Sequence, residues 1–196
     1  EIASCLVGSE MCIRDSSPGA HDRDAQWSPD GKFIVYISDA TGETELYMQD
    51  ATGGEPLQLT KDNDTYIRSF ELSPDSKTLV YTDRKNRVNL LDIATKQVTT
   101  LLQDPMGEPR GVTFSPDSQW LTYTRTGNNE YSIVYVYNLV DRKEYPVTDK
   151  WYDSSSPVFS TDGKYLVFAS ARDFNPTYGS LEWNHVYNNM YGVYLA

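Results

Sequence analysis

The residues of this chain whose types and spacing could do chemistry are four aspartates that recur at nearly constant intervals. They are Asp30, Asp75, Asp117 and Asp162. Carboxylates can bind metal ions or transfer protons. Each of these follows Ser-Pro or Ser-Thr and precedes Gly or Ser, which is typical of a tight turn whose carboxylate bonds its own backbone. Because whole repeats separate them, we predict four structural turn residues and not one site.

The other candidates for catalysis or metal binding lack partners. Cys5 and Cys12 have no second Cys or His pair, and neither His21 nor His185 has another His at the spacing of a zinc site. The acidic stretch 61–64 lacks the spaced ligands of a calcium loop. No serine lies in a Gly-x-Ser-x-Gly elbow. The sequence therefore predicts no catalytic residue, no cofactor and no metal.

Each aspartate belongs to a longer pattern, in which an apolar residue precedes the turn and an alternating apolar run follows it. The copies lie 45, 42 and 45 residues apart. A turn between two such runs predicts a β-hairpin, and a period of about 40–50 residues built from short strands is typical of propeller blades. In residues 33–38 both alternating sets are largely apolar, which indicates a sheet covered on both faces. We predict an all-β fold, a partial β-propeller with three complete four-stranded blades and an incomplete fourth.

The predicted domain occupies residues 17–196, with blades at about 24–60, 67–102, 110–148 and 155–196. Residues 1–16 match neither the repeat nor a helix or strand pattern, and they resemble the translated sequencing-adapter tail of metagenomic reading frames. We interpret them as a non-native tail. Because propellers close with four to eight blades, we expect the chain to be a fragment. Three tryptophans are expected to pack between blades: Trp27, Trp120 and Trp151.

The fourth blade contains an insertion, residues 171–190, that is rich in aromatic and amide side chains. Repeat folds carry their variable, functional segments in such loops. The predicted peptide or partner contacts lie here: Arg172, Glu182, Trp183 and His185.

The charge of the chain limits its partners. The formal net charge of −11 argues against nucleic acid and anionic membranes, which require a basic face. An acidic rim would weakly favour basic peptides. No run approaches the ~18 apolar residues of a membrane-spanning helix, so we predict no membrane span. The sequence does not distinguish a cytoplasmic from a periplasmic location.

The repeat resembles the propeller repeat of TolB-type proteins and tricorn-type proteases. The finer resemblance is to the second, seven-bladed propeller of tricorn-like proteases. It rests on Trp27–Lys32, Tyr36–Asp39, Asp64–Tyr66, the short second blade around Asp83–Asn89, Arg172–Thr177 and Glu182–Asn184.

In that family the propellers precede a PDZ-like module and a serine peptidase region, and they form channels for peptides in a large oligomer. The resemblance implies a non-catalytic segment that guides peptides to a catalytic region absent from this chain. Its partners would be peptides and the rest of a homo-oligomeric parent protease. Two alternatives stay open: a TolB-like protein-binding propeller without an enzyme, and the propeller of a prolyl-oligopeptidase-like hydrolase.

Overall fold

The structure is a computed structural model that describes residues 19–174, 176–178, 185–187 and 189–196. The first blade contains β1 (Asp22–Trp27), β2 (Phe33–Ser38), β3 (Glu45–Asp50) and β4 (Leu57–Gln58). The second contains β5 (Ile67–Leu72), β6 (Thr78–Asp83), β7 (Arg87–Asp92) and β8 (Val98–Gln103). The third contains β9 (Arg110–Phe114), β10 (Trp120–Thr126), β11 (Ser132–Asn138) and β12 (Lys143–Pro146). The described residues contain no helix, and so no helix that could span a membrane.

Each of the first three blades is an antiparallel meander in which neighbouring strands follow one another in sequence. The first strands of adjacent blades, β5 and β9, contact each other, and we call β1, β5, β9 and the first strand of blade four the inner strands. The Ser-Pro-Asp turns lie at one end of the blades, which we call the turn face. The second-to-third strand turns and the links between blades lie at the other end, which we call the linker face.

The fourth blade has three strands, β13 (Ser154–Phe159), β14 (Leu166–Ala171) and β17 (Tyr191–Leu195). Between β14 and β17 the chain forms a two-stranded ribbon, β15 (Pro176–Tyr178) and β16 (His185–Tyr187). This ribbon lies within the predicted insertion, residues 171–190, to which no strand was assigned from the sequence. The ribbon is therefore a feature that the pattern did not reveal.

Apolar side chains fill the spaces between neighbouring blades. On β6, Leu79 and Tyr81 belong to the cluster shared with the first blade, whereas Val80 belongs to the cluster shared with the third. A third cluster joins Val134 of β11 to Phe168 of β14. Successive strand residues point to opposite faces, so a strand that is apolar on both faces buries both. The predicted fold class is confirmed: the protein is an all-β, partial β-propeller.

The tryptophan expectation is wrong at two positions. Trp27 at the end of β1 is 54% exposed, and Trp151 in the link between β12 and β13 is 73% exposed. Trp120 is partly buried and packs against Tyr145 of its own blade, with ring centroids 6.3 Å apart. Residue type alone does not determine whether an aromatic ring at a strand end faces a neighbouring blade or solvent.

A candidate peptide-contact cleft on the linker face

The four turn aspartates lie at the turn face, each within its own blade. The Asp30 carboxylate accepts hydrogen bonds from the Ser28 hydroxyl (2.7 Å) and the Lys32 backbone N–H (3.2 Å). The same pair of bonds recurs at Asp75, Asp117 and Asp162. Hydrogen bonds from Lys32 and Ser28 lower the pKa of Asp30 to about 2. These contacts fit a structural role, because each carboxylate accepts its hydrogen bonds from residues of its own turn.

The turns also connect neighbouring blades. Ser76 and Ser118 occupy the position that is glycine in blades one and four, and both have a left-handed backbone, with φ of 59° and 58°. The Ser76 hydroxyl accepts the backbone N–H of Asp30, and the Ser118 hydroxyl accepts that of Asp75, both at 3.2 Å. A serine in the left-handed region is strained relative to glycine. In both blades, the strained serine accepts a hydrogen bond from the preceding blade, which a glycine could not do.

The opposite end of the molecule, the linker face, carries a hollow between blades three and four. It has a volume of about 640 Å³, and a neighbouring hollow of about 520 Å³ shares two of its walls, Asn129 and Trp151. The Asn129 amide donates to the Lys150 carbonyl at 2.7 Å, which ties the β10–β11 turn to the link before β13. We call the two hollows together the blade 3–4 cleft.

Aromatic side chains make up much of the cleft wall. The exposed rings that line it are Tyr131, Trp151, Tyr152, Phe174 and Tyr191. Exposed apolar patches of this kind mark interaction sites on proteins. Aromatic rings and arginine are also the side chains most enriched where proteins bind one another.

Arg172 is the cation that lines the larger of the two hollows. Its guanidinium lies 4.3 Å from the ring centroid of Tyr194 and 5.5 Å from that of Tyr152, and its Nε donates to the Ser170 hydroxyl at 3.3 Å. No carboxylate among the described residues forms an ion pair with it. A guanidinium held by aromatic rings keeps its charge and its geometry for a carboxylate or a carbonyl.

Three acids line the same hollow, Glu130, Asp153 and Asp173, and the oxygens of Asp153 are already engaged. One accepts the Ser132 backbone N–H and the other accepts the Tyr191 hydroxyl, both at 2.7 Å. Burial raises the pKa of Asp153, but these hydrogen bonds more than offset it and leave the pKa lowered. The same contact raises the pKa of Tyr191. The carboxylate therefore holds the cleft wall together and stays ionised.

Beneath the second hollow, Arg125 joins two blades. Its Nε donates to Asp104 at 2.6 Å, and its other nitrogen donates to both oxygens of Glu144 at 2.8 and 2.7 Å. The guanidinium also lies 5.4 Å from the Tyr135 ring centroid. Burial alone would lower the pKa of Arg125, but the two carboxylates leave it raised. Arg125 is thus a structural cation, in contrast to Arg172.

Comparison with known proteins identifies the fold more closely. The family model described as the tricorn protease second beta propeller domain matches residues 9–196. The chain belongs to this family. Tricorn protease homolog 1 of Streptomyces coelicolor is 28% identical over 169 residues, covering 83% of this chain and 16% of that protein. A TolB homolog of Chlorobium luteolum is 28% identical over 156 residues, covering 74% of this chain and 33% of that protein.

Solved structures agree on the fold. The crystal structure of the tricorn protease superposes with a TM-score of 0.80 at 17% identity, over 89% of this chain and 18% of that one. TolB from Acinetobacter baumannii superposes with a TM-score of 0.61 at 22% identity, over 89% and 40%. The chain therefore spans a small part of these longer proteins.

In this tricorn-family propeller, the four predicted contact residues do not all lie at the cleft. Arg172 lies in the cleft wall. His185 begins β16, with its backbone opposite Tyr178. Glu182 and Trp183 lie outside the described residues.

Sequence reasoning missed the other half of the cleft, which comes from the β10–β11 turn and the link that carries Trp151. One signal was available: the link places Trp151 and Tyr152 side by side between charged residues. Aromatic pairs in an otherwise polar link are candidates for exposed contact residues.

Proposed function

We propose that this chain is a non-catalytic propeller segment that binds extended peptides on its linker face. It would guide them to the catalytic region of a longer tricorn-like serine protease. The observation that carries the proposal is the blade 3–4 cleft, where exposed aromatic rings surround Arg172. Aromatic faces take up apolar side chains of many kinds, and a guanidinium binds carbonyl and carboxylate groups. Such a lining accepts peptides with little sequence preference.

The buried serine pair of blade four, Ser154 and Ser170, fits a non-catalytic role. Ser154 is fully buried, its hydroxyl shares a hydrogen bond with the Ser170 hydroxyl at 2.9 Å, and it lies 3.3 Å from the Tyr152 carbonyl. A serine nucleophile requires an adjacent base and access to substrate. Ser154 instead ties β13 to β14, so peptide cleavage would take place elsewhere in the longer protein.

The relatives support a second candidate. The similarity to TolB proteins favours a module that binds a folded protein partner and has no associated enzyme. The same cleft would then receive a loop of that partner. The two candidates differ in ligand, since an unfolded peptide suffices for the first and only the folded partner binds in the second.

The test is a binding titration with the 196-residue chain, fluorescently labelled and kept at nanomolar concentration. Unlabelled ten-residue peptides of mixed sequence are added, and the recovered peptides are checked by mass spectrometry. Trp151→Ala should weaken peptide binding about tenfold, because it removes an exposed aromatic contact of the kind that dominates binding energy. Trp27→Ala removes another exposed tryptophan at the turn face and should change the Kd less than about twofold.

Two results would contradict the proposal. Equal effects of Trp151→Ala and Trp27→Ala would exclude the cleft as the binding site. Cleavage of the peptides by the chain would exclude the non-catalytic role. Binding of a folded protein together with no binding of any peptide would favour the TolB-like candidate.

A further inference from the structure

Three arginines recur at one sequence spacing in three successive inner strands. Arg23, Arg68 and Arg110 each lie four residues before the last residue of β1, β5 and β9. All three stand near the start of an inner strand, where the chain enters from the linker face. The equivalent position in β13 is Ser155. Arg23 pairs with Ile37 and Arg110 with Thr124, whereas Arg68 lies in the bulge between the paired residues Ile67 and Ser69.

The contacts of Arg23 join these positions to the turn of blade two. Its guanidinium donates to the carbonyl oxygens of Ile67 and Arg68, the second at 3.2 Å. It also lies 4.6 Å from the ring centroid of Tyr66, and the guanidinium of Arg84 lies 4.8 Å from the same centroid. One tyrosine ring therefore holds two arginines, and Arg68 follows it by two residues.

Blade three continues the series. Arg68 pairs with Glu108 at 3.2 Å, two residues before Arg110. Arg84 and Arg110 are exposed, and no carboxylate in the described part of the chain lies within 4.0 Å of either guanidinium. We call Arg68, Arg84 and Arg110 the arginine arc.

Two of the three arginines in the arc are unpaired within the described residues, in a chain whose net charge is negative. The whole chain has 17 Lys and Arg against 28 Asp and Glu. The neighbouring charges that are paired within 4.0 Å are Arg23 with Asp24, Lys85 with Asp64, and Arg87 with both Asp64 and Asp83. Together with Arg68 and Glu108, these pairs are balanced in charge, so Arg84 and Arg110 are the two arginines of the arc without an ion-paired carboxylate among the described residues.

We infer that the arginine arc is a binding site for the acidic side chains of peptides. This inference rests on the proposed function, because it names the class of peptide that the linker face prefers. Guanidinium groups bind carboxylates through paired, charge-assisted hydrogen bonds. The net charge of −11 repels a long polyanion such as nucleic acid, whereas a short carboxylate-bearing segment meets only the local field. The arc thus reverses, at this position, the preference for basic peptides that the overall charge predicts.

The test compares two ten-residue peptides that differ only in three Asp or Glu residues replaced by Asn or Gln. Both are titrated against the nanomolar labelled chain. The acidic peptide should bind about tenfold more tightly, since even one charge-assisted hydrogen bond is worth that factor. Arg84→Gln combined with Arg110→Gln should remove this difference. Arg142→Gln, an exposed arginine in the β11–β12 turn, is the matched control and should preserve it.

If circular dichroism shows that the double variant does not fold, Arg84→Gln alone is tested instead. It changes only one exposed turn residue. The acidic peptide should then lose at least about threefold in affinity. In the unmodified chain, binding of the acidic peptide should weaken with added salt more steeply than binding of its amide counterpart.

The failure of this inference is separable from failure of the proposed function. If both peptides bind equally and only Trp151→Ala weakens them, the arc does not bind carboxylates and the proposed function stands. If neither peptide binds, the proposed function fails and the inference fails with it. If a single-stranded oligonucleotide displaces the acidic peptide at lower concentration, the assignment to peptides is overturned.

Discussion

Replacing Arg125 by methionine should destabilise the fold by leaving a buried carboxylate without its cation. The Asp104 side chain is 1% exposed, and without Arg125 its described hydrogen bond is the one from the Met106 backbone N–H at 2.8 Å. Breaking a buried ion pair from one side costs about 3–5 kcal/mol. A quarter of the Arg125 side chain is exposed, so we expect the lower end, about 3 kcal/mol. For a chain of this length that corresponds to a fall in Tm of about 6–12 °C.

The assay is thermal unfolding followed by far-ultraviolet circular dichroism at low micromolar concentration. A second variant isolates the cause, because Asp104→Asn removes the stranded charge while keeping an acceptor for the Met106 N–H. The double variant, Arg125→Met with Asp104→Asn, should recover about half of the stability that Arg125→Met loses. The reasoning is refuted if Arg125→Met changes the stability by less than about 0.5 kcal/mol, or if the double variant is no more stable than Arg125→Met.

Two further predictions concern acid and association. Hydrogen bonds lower the pKa values of Asp30 and Asp64 to about 2, below the value of about 3.9 in an unfolded chain. Their contribution to stability is therefore present above pH ~4 and lost between pH ~4 and ~2. Tm should fall as the pH is lowered from ~4 to ~2, and a Tm that stays constant over this range would contradict the prediction. The outer face of blade four exposes Val193 (78%) and Leu195 (69%) on the edge strand β17, so we expect self-association that Val193→Lys reduces. Analytical ultracentrifugation tests this, and a monodisperse unmodified monomer would contradict it.

Much of the fold could be predicted from the sequence because its signals are local. The Ser-Pro-Asp turns, repeated at intervals of 45, 42 and 45 residues, indicate the hairpins. Strands such as β2 (Phe33–Ser38) follow from the apolar run after the turn. Apolar residues on both faces of a strand indicate sheets stacked on each other, which the clusters on either side of β6 bear out.

Half of the candidate site could be predicted, since Arg172 lies in an insertion with an unusual composition. Trp151 was assigned to the core, and the structure places it at the surface beside that insertion. The two residues are distant in sequence and meet only because consecutive blades put their links and their second-to-third strand turns at the same end. No local pattern determines this.

The sequence by itself determined the repeat, the turns and the two-faced strands, because these depend on backbone preferences and on residue types a few positions apart. The tertiary structure alone decided which exposed side chains lie together. Arg68 and Arg110 carry the repeat spacing in the sequence, yet only the contact between β5 and β9 brings their strands side by side. Likewise Arg84 joins them because Tyr66 stacks with it and with Arg23. Sites of this kind form where one blade packs on the next. Their residues are separated by about 40 or more positions in the sequence, so no local pattern reveals them.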